Sequence, residues 1–446
     1  MNSHMSETFQ ANRERLLDEL RRREAALVVF TNTPKTRNGD SEYRFRPGSD
    51  FWWATGFREP GACLVLVPGR AAGESVVFVR QRNPLEETWT GRRVGVERAA
   101  AHLGVAEARP IEKLFDDLPG LLEGHESVFF TTGEDALRDQ RMQDVLGRTR
   151  LASKRGKRAP IEWSNAAALI GELRLFKTPG ELEFMRKAAA LTAEAHRGAM
   201  ALARAGMNEA EIDAHLLQAF RRSGGTGEAY GNIVAGGDNA VILHYHENDM
   251  ELRSGQLLLV DAGGEYAHYA ADITRTFPID GRFTPDQRAL YEVVLTAEKE
   301  AIAAVRPGVR FDLIHETAVR ALCRGLLELG VLEGSLDEVI EKKSYDRVYM
   351  HKTSHWLGID VHDTGRYFDA AGNPRTLAPG MVLTVEPGVY IAPDDEKSPV
   401  RWRGMGIRIE DDVLVTANGH EVLTIEAPKD VADVEAACSS WVDTCP

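Results

Sequence analysis

Leu257-Leu258-Leu259-Val260-Asp261-Ala262-Gly263-Gly264-Glu265-Tyr266-Ala267-His268-Tyr269-Ala270-Ala271-Asp272-Ile273-Thr274-Arg275-Thr276-Phe277 is the stretch on which the reading of this chain turns. Leu257 to Asp261 and Ala271 to Phe277 have strand character, and the loop between them holds glycines and tyrosines, so the two runs are expected to pair as a hairpin. Asp261 and Asp272 then come to the same end and face each other. Like charges that close share a proton or a cation, which makes the pair a metal-site candidate. On the hairpin alone an equally open reading has one aspartate capping a turn and the other exposed.

Further along, Ile407-Arg408-Ile409-Glu410 alternates apolar and charged residues, so at period two Arg408 and Glu410 point to one face and the isoleucines to the other. Glu386 ends the apolar run Leu383-Thr384-Val385, where a carboxylate needs compensation. His351, His355 and His362 cluster in Met350 to Asp363, and His244 lies in Val241-Ile242-Leu243-His244-Tyr245-His246. The spacing of His351 and His355 suggests a zinc-protease helix, but Lys352 stands where that motif needs its general-base glutamate, so that reading fails. A lone histidine is more often a satisfied core residue than a ligand; several in so short a span weaken that alternative.

One imidazole with four carboxylates is a hard, oxygen-rich ligand set, suited to manganese, with zinc or cobalt as alternatives. Four carboxylates exceed what one ion needs. Two ions about 3.5 to 4 Å apart, sharing carboxylates and a water of lowered pKa, would balance the charge and supply a nucleophile.

The surroundings fit a two-domain enzyme. A chain of 446 residues exceeds the size at which one core stops growing. Its net charge of −14 argues against nucleic-acid or anionic-membrane partners, which are bound through excess Lys and Arg. No apolar run approaches the ~20 residues of a membrane span and no signal-peptide pattern opens the chain, so a cytoplasmic protein is expected. Met1-Asn2-Ser3-His4-Met5 reads as a cloning remnant before a native start at Met5. Cys63, Cys323, Cys438 and Cys445 lack metal-finger spacing and read as unpaired thiols, with a Cys438–Cys445 pair left open.

Residues 1–175 alternate helix and strand signals and are expected to form an α/β domain. Asn12 to Glu24 reads as a helix, and Ala25 to Thr31, Ala62 to Pro68 and Glu74 to Arg80 as strands. The basic run from Arg148 to Arg158 reads as a solvated connector. In residues 176–446, Thr178-Pro179, Asn208 with Glu211, and Thr284-Pro285 open helices, and Phe311 to Leu329 forms another. Met350 to Thr424 reads as β-rich. The order helix, helix, strands occurs twice, which suggests an internal duplication with helices covering a curved, mainly antiparallel sheet in an α+β fold.

These segments closely resemble aminopeptidase P, the Xaa-Pro aminopeptidase of the pita-bread metallopeptidases. The matching stretches are Ile242 to Tyr245, Val260 to Gly263, Asp272 to Phe277, Ser354 to Gly358, Thr384 to Gly388 and Gly406 to Asp412. Asp40 to Tyr43, Ser49 to Trp52 and Trp89 to Arg93 match in the first domain. The resemblance implies a C-terminal pita-bread domain and an N-terminal domain serving oligomerisation and substrate access. It implies two Mn2+ per subunit: Asp261 on one, Asp272 and Glu410 bridging, His355 and Glu386 on the other. Glu386 would also take the proton from the attacking water, and His244 and His362 would stabilise the tetrahedral intermediate and position the scissile peptide. His351 would line the proline pocket, and Arg408 would orient the bridging carboxylates. Tyr390 and Trp89 would meet substrate, Trp89 from a neighbouring subunit of a dimer or tetramer. One departure is Lys352-Thr353, where several bacterial members carry Gly-Leu beside the proline pocket.

The implied activity is release of the N-terminal residue from peptides with proline second. An X-Pro dipeptidase on the same scaffold differs only in how it recognises the substrate's C-terminus. A metal-free pita-bread binding module is a third reading, disfavoured because all five ligand positions are present.

Overall fold

The computed structural model describes residues 3–440 except 155 and 157, and the chain divides into two compact units, Met1–Arg174 and Leu175–Pro446. Arg155, Lys157, Cys445 and the start of the opening pentapeptide fall outside the described residues. Cys63, Cys323 and Cys438 are free and buried.

The first unit is built on a six-stranded mixed sheet. Ala25–Phe30 lies inside it, antiparallel to Cys63–Leu66 on one side and parallel to Ser127–Phe130 on the other. Both faces of this sheet are covered, which is why its central strands are unbroken apolar runs rather than alternating ones. The first helix spans Ser3–Arg22, starting well before the expected Asn12, because Phe9 extends the buried stripe of Leu16 and Leu20 toward the N-terminus. Helix Ala136–Ser153 absorbs the first part of the basic run, so the connector is shorter than composition implied: the arginines there are solvated on a helix.

In the second unit all strand pairs are antiparallel. Helix Pro179–Leu202 opens on a capping box in which the Thr178 hydroxyl accepts from the Glu181 N–H while the Glu181 carboxylate accepts from the Thr178 N–H. Asn208 with Glu211 starts Glu209–Arg222 in the same way, and Thr284 with Gln287 starts Pro285–Ala304. Each box satisfies donors that a helix start otherwise leaves open. Together with Phe311–Glu328, these helices pack their apolar faces around Leu216, Phe220, Val260, Phe277, Leu322 and Ile407.

The deciding hairpin is more elaborate than expected. Leu257–Asp261 pairs with Thr274–Pro278, Asp261 opposite Thr274, so Asp272 precedes the second strand instead of lying within it. The loop between them holds a further hairpin, Gly264–Tyr266 against Tyr269–Ala270. Gly263 makes this nesting feasible: a Cβ there would lie 1.8 Å from the Ala271 carbonyl oxygen. The stretch from Met350 to Met381 is not β-rich; it is irregular, and strands begin only at Val382–Val385. Its glycines, prolines and polar residues interrupt any ladder, and its backbone is held by single bridges such as Trp356 to Leu383.

Arg275 ties these parts together. All five of its donors find acceptors: the carbonyls of Thr274, Glu410, Ala427 and Pro428, and Asp411 Oδ1 at 2.7 Å.

Candidate metal centre

Five elements deliver the candidate ligands to one cavity of about 540 Å3, lined among others by His244, Asp261, Asp272, His355, Glu386 and Glu410. Asp261 ends its strand. Asp272 stands in the turn before Thr274, its N–H donating to Asp412 Oδ2 at 3.1 Å. His355 is fixed by Thr384, whose hydroxyl accepts its N–H at 3.1 Å and whose own N–H returns to the His355 carbonyl at 3.0 Å. Glu386 follows Val382–Val385, its N–H on the Thr353 carbonyl at 2.8 Å. Glu410 sits between the strands Met405–Arg408 and Asp411–Val415, its N–H on the Thr274 carbonyl at 3.1 Å.

Ligand atoms of Asp272, His355 and Glu410 all lie within 4.8 Å of one another. His355 Nε2 is 3.4 Å from Asp272 Oδ2 and 3.7 Å from Glu386 Oε1. Because His355 Nδ1 faces the Trp356 carbonyl at 3.0 Å, the proton sits there and Nε2 is left to face the carboxylates. Burial raises Glu410 well above the usual carboxylate range, with Asp272, Glu386 and Asp261 adding to it, and burial likewise pushes Glu386 up to about 7. Burial alone would lower His355, but the Asp272 hydrogen bond and the Glu386 charge push it up to about 9. Burial favours the neutral carboxylic acids and the crowded carboxylates favour a protonated imidazole, so the gathered side chains carry more negative charge than Arg408 offsets. The donor set therefore fits divalent cations held by oxygen and one imidazole.

The surrounding side chains orient this set. Arg408 sends Nη2 to Asp261 Oδ2 at 2.6 Å, Nε to Thr274 Oγ1 at 3.0 Å and Nη1 to the Tyr390 hydroxyl at 2.8 Å. The same Thr274 hydroxyl donates to Glu410 Oε2 at 2.6 Å. Arg408 thus holds Asp261 directly and reaches Glu410 only through Thr274. The Tyr390 hydroxyl is 2.8 Å from His351 Nε2, and His351 Nδ1 is 2.8 Å from the Lys352 carbonyl. Burial, helped by the Arg408 charge, lowers His351 to about 4, so the ring is neutral, donating to Lys352 and accepting from Tyr390.

His351 and His362 line the cavity with His244, and His362 meets His355 edge-on at 4.5 Å between ring centres. Tyr390 is buried behind His351 rather than set in the cavity wall. Trp89 belongs to the first unit, on helix Pro84–Thr90, 89% exposed. Sequence reasoning missed Tyr230, whose hydroxyl is 2.6 Å from Asp261 Oδ1 and also hydrogen-bonds Asp272. It missed His246 and Thr274 as well. Tyr230 stands in Ala229-Tyr230-Gly231, where no periodicity marks a facing; only its aromatic hydroxyl beside glycine offered a hint.

Residues 183–417 match metallopeptidase family M24, and residues 9–130 match the aminopeptidase P N-terminal domain. The chain is 42% identical to the Xaa-Pro aminopeptidase of Escherichia coli strain K12 over 96% of each sequence. It belongs to family M24, among the aminopeptidase P proteins. Human Xaa-Pro aminopeptidase 3 is 34% identical over 93% of the chain and 80% of the human protein. Of solved structures, the Pseudomonas aeruginosa aminopeptidase PepP superposes with a TM-score of 0.94 at 44% identity, covering 98% of both chains. Zn-substituted E. coli aminopeptidase P in complex with product gives 0.92 at 41% identity, covering 97% of this chain and 98% of that one. The second unit is therefore the pita-bread domain of this family.

Proposed function

We propose that this chain is a metal-dependent exopeptidase that releases the N-terminal residue from peptides with proline in the second position. The observation that carries the reading is the convergence of Asp261, Asp272, His355, Glu386 and Glu410 on one cavity of a chain so similar to Xaa-Pro aminopeptidases. Asp261 would hold one ion, Asp272 and Glu410 two in common, and His355 with Glu386 the second; manganese suits the oxygen-rich set. Two divalent ions in that position polarise a carbonyl and make water acidic enough to attack at neutral pH.

The chain's own groups account for the remaining steps. Glu386 takes a proton from the attacking water and returns it to the departing prolyl nitrogen. That nitrogen carries no hydrogen in the X-Pro bond, so recognition cannot use an N–H and must rest on the shape of the pyrrolidine. His351, held neutral between Lys352 and Tyr390, offers that ring a fixed wall. His244 and His362 face the same space and would donate to the oxyanion as the carbonyl becomes tetrahedral.

The proposal extends to a cytoplasmic homo-oligomer, dimer or tetramer. No described helix is long and apolar enough to cross a membrane. Leu85 and Trp89, four residues apart on one helix face, are both exposed, as a subunit contact that brings Trp89 to a neighbour's site would require. The test is hydrolysis of an X-Pro-Y peptide. Chelated protein and the Asp261→Ala, His355→Ala and Glu386→Ala variants should each be inactive. Normal turnover by metal-stripped or Asp261→Ala protein removes the reading.

A further inference from the structure

Among the described residues, only two side chains lining the metal cavity carry a permanent positive charge, Arg408 and Lys352. Arg408 is buried and engaged on Asp261, Thr274 and Tyr390. Lys352 is exposed, and among the described residues its ammonium has no ion-pair partner. Its backbone, in contrast, is pinned from both sides. On one side its carbonyl accepts from His351 Nδ1 at 2.8 Å, and that ring is held in turn by Tyr390. On the other, the fully buried Thr353 places its hydroxyl 2.8 Å from His315 Nδ1 and 2.6 Å from the Tyr349 hydroxyl. The Thr353 carbonyl also accepts the Glu386 N–H at 2.8 Å, joining this platform to the candidate ligands.

A cation presented from a fixed backbone at the rim of an otherwise acidic cavity selects for an anion in whatever occupies that cavity. Resting on the peptidase reading above, we infer that the Lys352 ammonium receives the free C-terminal carboxylate of a short X-Pro peptide. In an extended peptide each residue advances about 3.3 to 3.6 Å, so the carboxylate of a tripeptide lies only about 7 Å beyond the proline, on the scale of the cavity itself. The flexible stem of lysine lets one point charge follow carboxylates at slightly different depths, which favours short free-acid peptides as a class. Lys352 is thus a specificity-determining residue, and long chains, whose terminus lies far outside, gain nothing from it.

The experiment compares Ala-Pro-Ala, its C-terminal amide and Ala-Pro-Glu amide with the metal-loaded wild type and the Lys352→Ala and Lys352→Arg variants. Wild type should favour the free acid over its amide by about twofold to fivefold in kcat/KM, the range of a solvent-exposed ion pair, with the difference residing in KM. Lys352→Ala should bring the ratio to about one, and Lys352→Arg should retain a preference. Equal ratios in wild type and Lys352→Ala, or no preference in wild type, overturn the inference while leaving the peptidase reading intact. Full recovery of the preference by Ala-Pro-Glu amide overturns the assignment to the chain terminus. Failure of the wild type to cleave any of the three removes the peptidase reading and this inference with it.

Discussion

The Arg408 guanidinium closes on the Asp261 carboxylate at 2.6 Å, across 147 residues of sequence. The pair lies almost out of solvent, and two further nitrogens of the same side chain hold Thr274 and Tyr390. A lysine at this position keeps the charge but loses the fork that holds three partners at once. Arg408→Lys is expected to lower kcat/KM on an X-Pro-Y peptide about 30- to 100-fold, equivalent to about 2 to 3 kcal/mol, with the far-ultraviolet dichroism unchanged. Activity within threefold of wild type would show that a point charge suffices.

Removing the Tyr230 hydroxyl isolates its part in separating two carboxylates. Its hydroxyl lies between Asp261 and Asp272, so Tyr230→Phe leaves them facing each other with only the Arg408 guanidinium on the Asp261 side to offset their charge. In urea titrations the metal-free variant should be about 1 to 3 kcal/mol less stable than metal-free wild type. Saturating manganese should shrink that gap, because cations would do the hydroxyl's work. Equal stability without metal would mean that the carboxylates relax apart unaided.

Metal addition should itself stabilise the fold. Ions bound to the native state but not to the unfolded chain raise stability by about 2.7 kcal/mol at a hundred times the dissociation constant. Thermal melts of chelated protein should therefore rise with added manganese and saturate. A melting temperature independent of manganese would argue against ions in this cleft.

A single methyl group tests the nested hairpin. Gly263→Ala would place its Cβ 1.8 Å from a backbone oxygen, so one of the two segments must move. Those segments carry Asp261 and Asp272. The variant should lose about 1 to 3 kcal/mol of stability and most of its activity together. Full activity in Gly263→Ala would contradict the close approach.

His196 supplies a pH dependence of stability from behind the strand that carries Asp261. Its Nε2 donates to the Ala262 carbonyl at 2.9 Å, and burial lowers it to about 4 from an ordinary value near 6.5. Between those values the unfolded chain binds a proton that the native protein refuses, so stability falls as pH drops from 6.5 toward 4 and is unaffected by this group above that window. The loss attributable to His196 should approach about 3 kcal/mol by pH 4. Denaturation of wild type and His196→Gln at pH 7 and pH 4.5 would measure it: the variant should lose less stability between the two. Parallel losses would assign the acid sensitivity elsewhere.

Helix starts were the most legible part of the fold, since Thr178 with Glu181 and Asn208 with Glu211 write their capping bonds into local sequence. The deciding hairpin was legible in its two long strands and obscure in its middle, where Gly264–Tyr266 and Tyr269–Ala270 are too short to show a period. Met350 to Met381 misled because its apolar residues serve a core reached by irregular backbone. Of the cavity, the carboxylates and histidines could be singled out because charge in an apolar strand demands an explanation. Tyr230 and Thr274 could not, because a hydroxyl in a strand or loop carries no such demand until its distant partners are known.

The five-pronged grip of Arg275 has a practical corollary. It clamps the first hairpin, the Glu410 segment and the C-terminal stretch through protein atoms alone, so the frame behind the candidate ligands takes none of these bonds from an ion. Replacing one ion by another should then be an exchange of contents rather than a refolding.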